Sequence, residues 1–373
     1  MRNFHACLLS VSLLLSLNGC ERPSSQPERV VKIGTVLGLT GDNAAYGIRM
    51  RQGLELAVEQ ANATDQGTGI RFELVVEDSQ WEPRLGVSAY RKMHDFQGIQ
   101  HYAAICGSKI ALAVCEASRQ DEIVIVDAIS GAPKLTAASG PKYFRVYASD
   151  AMAGQRNVAW ALRDGARSFA VVYVEDDWGA SYKDAIVQVL QEQGIQAPLV
   201  PITLGTRDFK TEAQKIMSQN PDALFVVLYA NLALPLVREL RTLGFSGTFY
   251  GGDNLSSSDF SAGGPEIIEG VRLSLPAEPE SEKYAEFDHA FQAKFGEAPD
   301  SFALKSFDAL MLLTHAIRAT DGTPTSVIQY LRDTPGYEGA SGRLSFDQNG
   351  DLREQDYQGM IYRAGQLTPF GDK

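Results

Sequence analysis

The sequence predicts an α/β fold made of two doubly wound parallel-sheet lobes. Three observations carry this reading. Short apolar, β-branched runs alternate with helical repeats along most of the chain, the series begins near Val30 and begins again near Ser168, and no stretch rich in Gly, Ser or Pro separates the two series. Strands alternating with helices of this length imply parallel sheets covered on both faces. The missing linker implies that the chain passes between the lobes more than once, through short extended segments. These crossings are expected near residues 144–149, 274–279 and 339–345.

The elements follow in order. Residues 30–37 are an apolar run ending in Gly38, Gly41 and Asp42, and Met50, Leu54, Ala57, Val58 and Ala61 then recur at helical spacing. A strand over 72–76 comes next. Pro83 suits the first turn of a helix, where its missing N–H has no intrahelical partner anyway. Strands over 103–106 and 123–126 flank a helix through 111–120. The second series opens with the β-branched run 168–174, and Asp177 is placed to cap a helix through Tyr182, Ile186 and Leu190. A strand over 200–204, a helix over 209–217 and a buried strand over 223–228 follow. A helix through Leu234, Val237 and Leu240 ends at Gly244, and 249–251 is a short strand. A strand over 270–275 precedes helices over 284–295, 302–319 and 324–331. The tail, 342–362, reads as strands around the turn Asn349-Gly350.

Length and composition set bounds. The chain has 373 residues, 44% of them apolar, which suffices for two cored domains. A net charge of −12 repels phosphate backbones and argues against a nucleic-acid partner. Of the four cysteines, Cys106 and Cys115 belong to the folded body. A strand end and a position two turns into the next helix lie about 10 Å apart by helical rise, beyond the roughly 7 Å a disulfide spans, so both are expected as buried thiols. Five scattered histidines form no metal-ligand spacing, and no cofactor is expected. The G-x-S-x-G elbow, the Walker loop and any Cys–His pairing are missing, so the chain reads as a binding protein with no catalytic residues.

In doubly wound sheets ligands sit beyond the carboxyl ends of the strands, and each candidate residue occupies such an end. The loop from Gly38 to Gly47 carries Tyr46 as an aromatic wall; as plain structure it is a strand–helix turn capped by Asp42. Ser108 opens a helix after the third strand, as a simple cap or as a donor, beside the helix amides, to a carboxylate. Ser130 and Gly131 hold the same place after the fourth strand, and the two strand ends together would form an anion cradle. In the second lobe Trp178, Tyr229 and Asp253 follow the ends of three strands, 168–174, 223–228 and 249–251. Trp178 would cover either a ligand or a helix, and Asp253 would meet an ammonium group or merely form a turn.

The N-terminus carries a targeting signal. Arg2 precedes the apolar stretch 6–17, about a dozen residues and too short for a membrane span of roughly 20. Residues 17–20 resemble a bacterial lipobox, which implies that 1–19 is a cleaved signal peptide and that Cys20 is lipidated. Plain secretion and an uncleaved anchor are the alternatives. Residues 20–29, polar with Pro23 and Pro27, would tether the body to its lipid. The expected location is the periplasm or cell envelope, with membrane contact through the lipid alone.

Several segments together resemble the leucine/isoleucine/valine-binding proteins of bacterial uptake systems, the type I periplasmic binding proteins. They include Leu39-Thr40-Gly41-Asp42-Asn43-Ala44-Ala45-Tyr46-Gly47, Val76-Glu77-Asp78, Arg207-Asp208-Phe209, Asn220-Pro221-Asp222-Ala223, Ser306-Phe307-Asp308-Ala309 and the run from Gly342 to Asp351. The resemblance implies two lobes joined by a three-strand hinge: 30–147 with 277–342, and 148–276 with 343–373. It implies a monomer that closes on an amino acid, of branched-chain type or a similar small polar solute, and delivers it to an ABC permease. It also implies that Ser108 takes the ligand carboxylate and Asp253 the α-ammonium, with Tyr46 and Trp178 lining the cleft. One segment departs from the pattern: many members place Thr or Ser before the proline where this chain has Ser130-Gly131-Ala132-Pro133. A ligand-sensing receptor for amides, urea or amino acids on the same fold is the alternative function.

Overall fold

A computed structural model describes residues 29–64, 67–277 and 279–370. The signal segment, Cys20 and the tether up to residue 28 lie outside the described residues; Arg29, expected in the tether, already pairs in the first strand.

The first lobe begins with β1 (Arg29–Leu37), α1 (Ala44–Ala63), β2 (Ile70–Asp78), α2 (Pro83–Arg91), β3 (His101–Ile105), α3 (Ser108–Ala117), β4 (Val124–Asp127), α4 (Lys134–Ala138) and β5 (Tyr143–Arg145). All five strands are parallel, in the order β2-β1-β3-β4-β5. β3 and β4 are buried along their whole length, as expected for parallel strands covered on both faces.

The second lobe holds α5 (Asp150–Arg163), β6 (Phe169–Val174), α6 (Asp177–Glu192), β7 (Leu199–Ile202), α7 (Lys210–Gln219), β8 (Ala223–Val227), α8 (Ala230–Thr242), β9 (Thr248–Gly251), α9 (Ser258–Ser261), α10 (Pro265–Ile268) and β10 (Arg272–Pro276). The chain then returns to the first lobe with α11 (Glu282–Phe295), α12 (Ser301–Arg318), α13 (Pro324–Asp333) and the hairpin β11 (Tyr337–Gly339) and β12 (Gly342–Leu344). It comes back to add β13 (Tyr357–Arg363) and β14 (Gln366–Pro369), antiparallel, to the edge of the second sheet, whose order is β14-β13-β10-β9-β8-β6-β7. Its five parallel strands repeat the order of the first lobe.

The return of α12 to the first lobe is locked by glycine. A Cβ on Gly53 of α1 would lie 2.1 Å from the Ala303 carbonyl oxygen, so only glycine lets the two helices approach this closely. Arg49 of α1 also pairs with Asp300 at the start of α12, at 3.0 Å. The connecting segments run side by side: the Arg145 amide donates to the Gly350 carbonyl at 3.0 Å, and the Ala277 amide to that of Asp356 at 2.8 Å.

Four expectations need correction. The cap of α6 is Asp176, whose carboxylate accepts the Gly179 amide at 2.9 Å, and Asp177 is the first helical residue. Of the crossing expected over 144–149, residues 144 and 145 belong to β5, which leaves 146–149 to reach α5. Around Asn349-Gly350 the tail makes one isolated bridge, Phe346 to Leu352; the true hairpin is β13–β14, turning at Ala364-Gly365 with φ of 50° and 80°. Asp42 does not cap α1, whose N-cap residue Asn43 makes no side-chain cap bond. Cys106 and Cys115 are both free and buried.

Candidate functional site

In each sheet the strand order reverses beside the first strand of the series, β1 and β6, and the loops beyond these strands open into one cleft. The cleft is narrow in this closed form, about 420 Å³ of space between the lobes when the solvent at its mouth is included. The first lobe contributes Tyr46, Trp81, Gly107, Ser108, Ile129 and Phe302. The second contributes Asp150, Trp178, Tyr229, Asp253 and Asn254, and Tyr147 enters from the first crossing. Of the residues expected from sequence, Tyr46, Ser108, Trp178, Tyr229 and Asp253 meet here. Ser130 and Gly131 lie behind the wall.

The aromatic rings form a continuous box. Trp178 stacks on Tyr229 with centroids 4.9 Å apart, Trp81 meets Tyr229 edge-on at 5.6 Å, and Tyr46 stands 5.9 Å from Trp81 and 5.1 Å from Phe302. Trp81 takes its place through the backbone. Gln80 and Trp81 both adopt the left-handed region, at φ 51° and 62°, which is unfavourable for a bulky residue. A Cβ on Gly38 would come within 2.6 Å of the indole, so glycine there lets the ring lie over the chain. The Tyr46 hydroxyl spans the cleft: it donates to the Asn254 carbonyl and accepts the Ala230 amide, both at 3.1 Å. Two exposed ion pairs also join the lobes, Asp42 to Arg207 and Lys134 to Asp177, each at 2.7 Å. The lobes are thus closed on one another.

Two carboxylates share the buried floor. Asp253 accepts from the Tyr147 hydroxyl at 3.0 Å and, more weakly, from Ser301 Oγ at 3.4 Å. Asp150, first residue of α5, accepts Trp178 Nε1 at 2.9 Å. Burial pushes the Asp253 carboxyl up to about 6. Burial first, and then the charge of Asp253, push Asp150 up to about 7. Arg145 lies behind the wall with its donors engaged: Asp351 at 2.7 Å, the Ser130 and Ala132 carbonyls at 3.1 Å each, and Thr136 at 2.9 Å.

The expected anion cradle is differently built. Ser130 Oγ donates to the Ile105 carbonyl at 3.2 Å, and the Ala132 amide is taken by Ser108 Oγ at 3.2 Å. A Cβ on Gly131 would fall 2.4–2.6 Å from the atoms of the Asp150 carboxylate, so that carboxylate covers the glycine. Sequence reasoning missed Asp150, Tyr147 and Trp81. Tyr147 and Asp150 stand in or beside a segment read as a connector. Trp81 precedes a predicted helix, and only the left-handed turn aims its ring into the cleft.

Comparison with known proteins places this geometry among relatives. The periplasmic binding protein family matches residues 30–365. A Leu/Ile/Val-binding protein of Rhizobium johnstonii is 26% identical over 346 residues, 91% of this chain and 93% of its own length. The leucine-, isoleucine-, valine-, threonine- and alanine-binding protein of Pseudomonas aeruginosa is 24% identical over 88% of each chain. Among solved structures, the leucine-binding protein LivK of Thermotoga maritima superposes with a TM-score of 0.84 at 26% identity, over 91% of this chain and 98% of its own. An ABC-transporter solute-binding protein of R. palustris, in complex with benzoate, superposes with a TM-score of 0.83 at 19% identity, covering 92% and 96%; that likeness concerns the fold alone.

Proposed function

The chain belongs to the periplasmic binding protein family, and from that premise we propose that it captures a small organic solute bearing an amino group and hands it to an ABC permease. The branched-chain amino acids named for its relatives belong to that class. The chain is a binding protein, not an enzyme. The observation that carries the reading is the pair of buried carboxylates, Asp150 and Asp253, set in an aromatic box with walls from both lobes. A charge-assisted hydrogen bond from an ammonium group to such a carboxylate contributes about 1.5–3 kcal/mol.

The mechanism is closure around the three connecting segments. Tyr46 and Trp81 move with the first lobe, and Asn254, Ala230 and Tyr229 with the second. A solute touching both sets binds the shut form better than the open one and so shifts the equilibrium toward it. The permease then reads a surface that exists only when the lobes meet. Lipidation at Cys20 would hold the protein at the membrane, and Cys20→Ala is expected to move it from the membrane pellet to the soluble fraction.

A thermal-shift screen of amino acids, amines and amides tests capture. A ligand at 100 times its dissociation constant stabilises the fold by about 2.7 kcal/mol. Small-angle scattering should show contraction with the same compound. If no such solute shifts the melting temperature or the radius of gyration, solute capture is refuted.

A further inference from the structure

The cleft carries more negative charge than a zwitterion neutralises. Asp150 and Asp253 both line it, and among the described residues no Lys, Arg or His side chain does. The Arg145 guanidinium behind the wall is turned onto Asp351 and two backbone carbonyls. Asn254 adds an acceptor: its Nδ2 is engaged by the Leu228 carbonyl, while its buried Oδ1 has no partner.

The side-chain donors open to a ligand carboxylate are neutral ones, the Ser108 hydroxyl and the unpartnered Trp81 Nε1. The Ala132 amide already donates to Ser108 Oγ, and the Ser130 hydroxyl to Ile105. The surface of Gly131 is occupied by the Asp150 carboxylate, so an anion entering there would meet a like charge inside a low-dielectric wall. The cleft therefore sets two carboxyl acceptors against neutral donors only, beside the rings of Trp81, Trp178 and Tyr229, which attract cations through the ring quadrupole.

Resting on the capture function above, we infer that the solute is a carboxylate-free organic cation: a protonated amine on an apolar body, with its N–H groups shared among Asp150, Asp253 and Asn254 Oδ1. An amino acid adds a negative charge beside two buried carboxyls that already repel one another. The amine that lacks it adds only the attractive end.

Calorimetry on the full chain with two matched sets tests this. One set is leucinamide, leucine and 4-methylpentanoate; the other is phenethylamine, phenylalanine and 3-phenylpropanoate. The carboxylate-free amine is expected to bind at least about tenfold more tightly than its amino acid in at least one set, and the acid to show no heat. Asp150→Asn is expected to narrow the gap between amine and amino acid. Leucine or phenylalanine binding as tightly as its amine partner overturns the inference while leaving solute capture intact. Tightest binding by an acid overturns both the inference and the amino-group reading. Absence of heat from all six overturns the inference, and the scattering measurement then decides capture separately.

Discussion

Replacing Asp150 by Asn should stabilise the ligand-free protein, and only at neutral to alkaline pH. The Asp150 carboxyl is held near 7, against 3.8 for an ordinary aspartate, chiefly by burial. An acid raised in the fold binds its proton more tightly there than in the unfolded chain. Its contribution is therefore fully present below about 4 and is lost as pH rises toward 7. A displacement of that size corresponds to about 4 kcal/mol at full effect, and relaxation around the charge lowers it, so about 2–4 kcal/mol is expected. Asparagine has the same shape and can still accept Trp178 Nε1, but it carries no charge to bury. For a chain of this length the gain corresponds to roughly 3–6 °C. Scanning calorimetry of wild type and variant at pH 4 and pH 8 reads it directly. The variant should melt higher at pH 8 and within error of wild type at pH 4. A variant that is less stable at pH 8, or whose difference ignores pH, refutes the claim that this carboxylate is a strained, buried charge.

Three further outcomes follow from the same geometry. Asp253→Ala removes the carboxylate that Tyr147 steadies, and should weaken amine binding about tenfold or more by calorimetry. Gly131→Ala drives a Cβ into the Asp150 carboxylate and should cost about 1–3 kcal/mol in urea unfolding, with most of the loss recovered when Asp150 is also made Ala. Arg207→Ala breaks an exposed cross-lobe ion pair and should lower affinity by less than about fivefold; a hundredfold loss would mean that surface charge, rather than the solute, drives closure.

Much of this fold is legible in the sequence because parallel strands buried on both faces read as unbroken apolar runs, as β6 and β8 do. The elements that escaped have physical reasons. The buried face of α5 is built from Ala153, Gly154, Asn157, Val158 and Ala161, small or polar side chains that leave a faint hydrophobic period. β5 is three residues long. The β13–β14 hairpin turns on Ala-Gly, where the sequence offers a stronger turn signal at Asn349-Gly350. At the site, Tyr46, Ser108, Trp178, Tyr229 and Asp253 could be found because strand ends can be found. Asp150 could not: its neighbours Gly131 and Trp178 lie 19 and 28 residues away, and only folding brings a second carboxylate beside Asp253.

The most direct test is a crystal structure of the chain grown with a bound amine such as phenethylamine. The nitrogen should lie within hydrogen-bond distance of Asp253 or Asp150, with the apolar body between Trp81 and Tyr229 and both lobes in contact with it. Density for the compound outside the cleft, or its nitrogen turned away from both carboxylates, would contradict the account.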